Sequence, residues 1–506
     1  MDTNQEQVVD ISQQKNLSNK QMLGYSSYTL FSMFGSITWF FRPAYYALIG
    51  MNMVLFSTAL MIARIVDLVI AVMVGGIIEK VRLKIGGGGK YRPWLFIFMF
   101  VITFGIAITF TDFVPNNDTV HFIVVTVGAL CVTISMSFIG AVQFGLVPVM
   151  AGASVVDRTR LTTFNYRVTT VGTIFTSLTG AYLLTWIGYV FAPPMNYTVM
   201  SAGFAGFYIL GAIILSRTAK PFDQPQDAAT IAAAPQVKVS DMVKAVTTNS
   251  QLLVYLLATM LSMIGMLISM NIVIYFWQLI VPYTHGISAD VAFPGYYTIG
   301  QTASTVGSFV FAMFAPQIGM KLGKGRAMWI GLLGAAVASA LMFFFGAGLW
   351  VAFIGFNLLL MFAGALYAGF GVNYALDCGE YGLWKTGQDH RLVIMSMFNL
   401  PMKIAAIIGG MVLYALAAIG FDSLQVQSAA AQGVLPAFLT DDFVTAFMFL
   451  LAGIPAVCNL AAVLLMRFAY KITDEDAKMY AAENQKRAME AANAAPKAEP
   501  ETVPTA

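Results

Sequence analysis

Long apolar runs, each about 18 to 28 residues, alternate with short polar connections along almost the whole chain. A helix rises 1.5 Å per residue and the hydrocarbon of a bilayer is about 30 Å thick, so each run predicts a membrane-crossing helix. Twelve runs follow one another, at roughly 22–48, 52–79, 93–111, 120–150, 161–190, 197–217, 250–281, 293–318, 326–346, 349–376, 393–420 and 443–468. Polar stretches precede them, interrupt them once at length and follow them.

The basic residues fall on alternate connections. Lys15 and Lys20 precede the first run, "EKVRLKIGGGGKYR" joins two and three, "DRTR" joins four and five, "KLGKGR" joins eight and nine, and "WKTGQDHR" joins ten and eleven. The opposite connections, such as "TDFVPNNDTVH" and "FDSLQVQSAAAQGVLPAFLTDD", carry acids instead. Under the positive-inside rule both termini are expected in the cytoplasm of a multi-pass plasma (inner) membrane protein. Segment 1–21 has no apolar core of the kind that a cleaved signal needs, so the first run is expected to direct insertion.

The long connection 218–248, rich in Ala, Gln, Pro and Asp, reads as a cytoplasmic linker between a first half, 22–217, and a second, 249–468; the tail 469–506 is Ala- and Glu-rich and reads as partly helical, then disordered. A faint repeat supports the division. "GGIIEKVRLKIGGGGKYRPWLFI" and "APQIGMKLGKGRAMWIGLL" each place a Gly-rich basic turn between the second and third helix of their half. Two parallel six-helix repeats indicate an all-α membrane protein of the major facilitator fold, with the substrate near the midplane between the halves. Composition agrees: 58% of residues are hydrophobic and 10% charged, whereas soluble chains carry about 25% charged residues.

Several chemistries are excluded. "GGGGK" is followed by Tyr91, without the Ser or Thr and the preceding strand of a phosphate-binding loop, so it reads as a tight turn at the lipid headgroups. Cys131, Cys378 and Cys458 lie far apart with no metal-ligand spacing, and His121, His285 and His390 fall near connections with no HExxH pattern. No enzyme, cofactor, metal centre, nucleic-acid partner or obligate protein partner is expected, only membrane lipids and a small-molecule substrate.

Charges inside the apolar runs point to that substrate. A charge at mid-bilayer costs about 2.5–3.5 kcal/mol even on lenient scales, so it faces a partner or an aqueous path. Arg64 and Asp67 in "MIARIVDLVIA" stand three apart on one face of the second span and are placed to pair with each other or to serve an ion or substrate path. Lys403 in "NLPMKIAAIIGG" is about ten residues from the nearest basic loop, too deep for snorkelling. Arg167 lies a turn or two into the fifth span. Gln143 and Phe144 suit a hydroxylated ligand, although a lone Gln is also common helix glue. Trp277 suits either a cavity wall or the aromatic belt. Asp377, Glu380 and Arg391 near the tenth connection suit either gating contacts or plain solvation. Arg42 in "WFFRPAYY" reads as an interfacial anchor.

At these residues the chain resembles the glycoside–pentoside–hexuronide:cation symporters, the branch of the major facilitators that includes melibiose permease and the glucuronide transporters. The likeness lies in "ARIVDLVIAVMVGGIIE" with "GGGGKYRPW", in "FGLVP", in "DCGEYGLWKTG" and in the eleventh-span lysine, and it spans both halves. The resemblance implies Asp67 as the cation-coupling acid with Arg64 before it, and Arg167 near the sugar. The pattern also departs from the family. Ala71 stands where sodium-coupled members carry a second acid, "YSSYTLFSMFG" lacks the first-span acid, and near Gly140 only Gln143 offers a substitute.

Loss of acids with retention of Arg64, Arg167 and Lys403 leaves a net positive site. The expectation is a symporter of a glycoside or related sugar, an acidic hexuronide or other anionic glycoside by this charge count, coupled to H+ in preference to Na+ through Asp67. A uniporter or exchanger of the same substrates, and a membrane sugar sensor without transport, remain alternatives.

Overall fold

The computed structural model describes residues 16–81, 83, 85, 89–115, 117–152, 154–224, 244, 247–287, 292–368, 370–387, 394 and 399–494. Every regular element among them is helical. Eleven helices are long and apolar enough to cross a membrane, and they correspond to the second to twelfth apolar runs. The first run is helical too, but broken into Asn19–Gly35, a 3-10 stretch Ile37–Phe41, and Arg42–Leu48. Pro43 explains the break: it has no N–H to donate and its ring crowds the carbonyl four residues back. Proline also follows the wide π turns Phe276–Ile280 and Phe449–Gly453, which precede Pro282 and Pro455 in the seventh and twelfth spans.

Within the first half, span 4 (Asp118–Ala151) packs on span 3 (Arg92–Thr109) and span 2 (Met53–Lys80), while span 1 packs on span 5 (Val155–Gly188) and span 6 (Met195–Ala219). The second half repeats these pairings. Span 10 (Trp350–Ala368) packs on span 9 (Lys324–Phe345) and span 8 (Thr298–Leu322); span 7 (Ser250–Tyr275) packs on span 11 (Leu400–Gly410) and span 12 (Ile454–Leu464). The halves meet through spans 2 and 11 and through spans 5 and 8, a symmetric arrangement that follows from the repeat.

Apolar burial is unequal across the membrane. On the side away from the termini one hydrophobic cluster joins both halves, including Phe41, Tyr45 and Phe56 with Tyr275, Trp277 and Phe421. Toward the termini each half has a separate cluster. The far side is further sealed by hydrogen bonds from Tyr275 Oη to the Pro43 carbonyl (2.8 Å) and from Ser423 Oγ to the Met51 carbonyl (2.7 Å).

The repeated basic turns have a structural purpose that the composition did not disclose. Asp223, just after span 6, accepts the backbone N–H groups of Lys90, Tyr91 and Arg92, each at 2.9 Å, and so caps span 3. Asp474, just after span 12, accepts the Lys324 N–H at 3.0 Å at the start of span 9. Each turn carries a glycine at positive φ beside its acid: Gly89 at 96° and Gly323 at 84°. From Asp474 a terminal helix runs to Ala494 and packs along Gly371–Thr386, the continuation of span 10.

Candidate functional site

The charges of span 2 turn to the opposite half. Asp67 is 8% exposed; its Oδ2 accepts from Lys403 Nζ at 2.6 Å and its Oδ1 from Ser137 Oγ at 2.5 Å. Lys403 Nζ also donates to Ser137 Oγ at 3.2 Å, closing a triangle between spans 2, 4 and 11. Both carboxylate oxygens are therefore engaged, one of them with charge assistance, which is the arrangement that makes an ion pair tolerable at low dielectric.

Arg64 does not pair with Asp67, correcting the expectation drawn from their spacing. Its Nη1 donates to the Ala406 carbonyl at 2.5 Å and its Nη2 to Asn271 Oδ1 at 3.2 Å. Span 11 breaks at Met411, between Leu400–Gly410 and Val412–Ala418. The C-terminal turn of a helix carries partial negative charge, so a cation beside it is favourable. Ser57 Oγ adds a bond to the Gly410 carbonyl at 3.2 Å. A Cβ at 410 would stand 1.8 Å from Arg64 Nη1, so a side chain there would displace the guanidinium from this position. The i, i+3 spacing permitted a local pair, but each side chain finds a better partner across the halves.

A second polar chain lies within the first half. Gln143 Nε2 donates to Thr29 Oγ1 at 3.3 Å, and Thr29 donates to Asn165 Oδ1 at 2.9 Å, joining spans 4, 1 and 5. Arg167, two residues beyond Asn165, is exposed, and Phe144 is 74% exposed. Trp277 is 2% exposed and packs edge-on against Phe276 and Phe353, so in this conformation it is core packing and neither a cavity wall nor part of the belt.

Asp377 and Glu380 are bound inside their own half. Lys324 Nζ lies 2.5 Å from Asp377 and 3.9 Å from Asp474, while Asn484 of the terminal helix donates to the Glu380 carboxylate at 2.7 Å. Burial pushes the Asp377 carboxyl above its ordinary value, with Lys324 pulling it back. Arg391 lies outside the described residues.

Sequence reasoning passed over Ser137 and Asn271, single polar residues in apolar spans, and misjudged Arg42. The Arg42 guanidinium stacks 3.9 Å above the Trp39 ring, and its Nε is buried without a hydrogen-bond partner. It stands close enough to Arg64 for the two charges to repel. The signal was available: Pro43 at the start of a helix marks a break just before Arg42, so "WFFRPAYY" was not part of a straight helix. Among the described residues no three His, Cys, Asp or Glu side chains converge on one point.

Known proteins share this architecture. The nucleoside transporter NupG superposes with a TM-score of 0.59 at 14% identity, covering 89% of this chain and 100% of NupG. The xylose transporter XylE from E. coli gives 0.53 at 15%, covering 90% and 98%. In sequence, the uncharacterized symporter YjmB of Bacillus subtilis is 26% identical over 482 residues, 92% of this chain and 95% of YjmB. A putative 2,3-dihydroxypropane-1-sulfonate exporter of Escherichia coli is 23% identical over 343 residues, 66% of this chain and 69% of its own. The family model described as MFS/sugar transport protein matches residues 23–474. The cross-half triangle thus sits in a multi-pass membrane transporter, and the chain belongs to the MFS/sugar transport protein family.

Proposed function

We propose that the protein is a proton-coupled symporter of an acidic glycoside or sugar acid in the glycoside–pentoside–hexuronide:cation branch, working by alternating access. The observation that carries this reading is the Asp67–Ser137–Lys403 triangle, because it ties the halves together through a group that can take up a proton. In the empty site the Asp67 carboxylate offsets the Lys403 ammonium. A proton and a monoanionic substrate added together leave the total charge unchanged, whereas either alone shifts it by one. One uncompensated charge at mid-membrane costs about 2.5–3.5 kcal/mol, so joint occupancy is favoured and the two cross together. Protonation also releases Lys403, which is then free to pair with the substrate anion.

Arg64, Arg167 and Lys403 outnumber Asp67 among the candidate site residues, which favours an anionic substrate. The E. coli relative is named for export of a sulfonate and the Bacillus relative as a symporter, and both support the same class. Gln143 and Phe144 are assigned to the sugar. The basic connections favour cytoplasmic termini in the plasma membrane, and the shared far-side cluster then makes this conformation inward-facing. The exporter names favour a second reading, the same coupled chemistry running outward.

The test is uptake into right-side-out vesicles of labelled acidic and neutral glycosides, with proton and sodium gradients imposed separately, in the native chain and in Asp67→Asn. Acidic-glycoside uptake driven by protons, reduced to downhill exchange in Asp67→Asn, is expected. Sodium-driven uptake that needs Asp67, or a preference for neutral sugars, would refute it.

A further inference from the structure

We propose that Arg42, assisted by Arg64, recognises the anionic group of the substrate; this rests on the acidic-substrate reading above. Lys403 has the Asp67 carboxylate at 2.6 Å, and Arg64 has an amide oxygen and a helix-end carbonyl. Arg42 has the face of Trp39, 3.9 Å away, and Tyr46 nearby, while its buried Nε meets no hydrogen-bond acceptor. Arg42 is half-buried, and a cation–π contact replaces only part of the hydration that its guanidinium has lost. The charge that does act on Arg42 is that of Arg64, which raises the cost further. Two neighbouring guanidinium groups with no acid between them form a site for an anion.

The residue type suits the task. Stacking on Trp39 occupies one face of the guanidinium and leaves its edge for a carboxylate or sulfonate, which Arg grips through two parallel N–H bonds and Lys does not. The two backbones differ in depth by about 7 Å, a gap that two long Arg side chains span. Arg64 is eleven residues, about 16 Å, into span 2, and Arg42 is six residues from the end of its short helix, about 9 Å. Arg42 also adjoins the far-side seal, since the carbonyl of Pro43 accepts from Tyr275. An anion gathered at Arg42 is therefore held beside the contact that must open for release on that side.

The experiment compares binding of methyl glucuronide and methyl glucoside to the full chain in lipid nanodiscs, for native protein, Arg42→Gln and Arg42→Lys. Native protein is expected to prefer the glucuronide. Arg42→Gln is expected to weaken the glucuronide about tenfold or more, with the glucoside held within about twofold. Arg42→Lys, which keeps the charge and the fold, is expected to weaken the glucuronide by about threefold and leave the glucoside unchanged. A native preference that survives both substitutions, or an equal loss for both probes, overturns the role of Arg42 alone. A native chain with no preference for the glucuronide overturns the acidic-substrate reading and this inference with it.

Discussion

In the first half, Asp223 is 4% exposed and holds three backbone N–H groups at the start of span 3. In the second half, Asp474 at the matching place has a side chain 39% exposed and holds one, at the start of span 9. Lys324 supplies what is missing there, reaching Asp377 at 2.5 Å and Asp474 at 3.9 Å. The same joint is thus built once as a buried cap and once as a partly exposed ion cluster. Buried charge-assisted bonds are individually strong and solvated pairs are weak, so the first half is the firmer body at this level and the second the more adjustable. The terminal helix, attached through Asn484 and Glu380, is an accessory of the adjustable half.

Glycine substitutions separate the two joints most sharply. A Cβ at Gly89 would meet Asp223 Oδ2 at 2.5 Å and the Asp223 carbonyl at 2.6 Å, whereas one at Gly323 would meet only Asp474 Oδ2 at 3.0 Å. Both positions carry the left-handed cost of about 1–2 kcal/mol, but only Gly89→Ala also displaces the cap. Gly89→Ala is expected to lower stability by about 3 kcal/mol or more and Gly323→Ala by about 1–2 kcal/mol, read from thermal unfolding of the purified protein. Equal losses would abolish the distinction.

Removing the acids comes next in size. Asp223→Ala leaves three N–H groups without their acceptor and is expected to cost about 2–3 kcal/mol; Asp474→Ala is expected to cost about 1 kcal/mol or less. The same unfolding assay decides it, and a larger loss for Asp474→Ala would reverse the assignment of the firm half.

The smallest effect is in pH. Because burial raises the Asp377 carboxyl above 3.8, the folded chain binds that proton more tightly than the unfolded chain. Its contribution to stability is therefore present at low pH and falls as pH rises through the range just above that value. Between about pH 4 and 6 the melting temperature of native protein should rise less, or fall more, than that of Asp377→Asn. A steeper rise in the native protein would mean that Lys324 outweighs burial.

Much of this architecture was legible in the sequence. Apolar runs located the spans within a few residues, since a bilayer imposes one length on every crossing. The paired Gly-rich turns disclosed the repeat. The acids that cap those turns were not legible, because Asp223 and Asp474 stand more than a hundred residues from the N–H groups they hold. The candidate site was read in part: Asp67, Arg64 and Lys403 were singled out as residues, but their pairing was not. Helical spacing tells which side chains share a face, not what faces them, so the partners Ser137, Asn271 and the broken end of span 11 emerged only from the fold. Arg42 was read without its surroundings for the complementary reason, that the break over Ile37–Phe41, just before it, brings Trp39 against its guanidinium.

Arg64 and Gly410 are also bound in a way that reaches beyond either half. With Nη1 occupying the space where any side chain at 410 would begin, the arginine and the glycine constrain each other's substitution. A larger residue at 410 would push the guanidinium off the Ala406 carbonyl, and a shorter one at 64 would vacate that space and leave the carbonyl without it. A change at either position is therefore felt at the other, across the boundary between the halves.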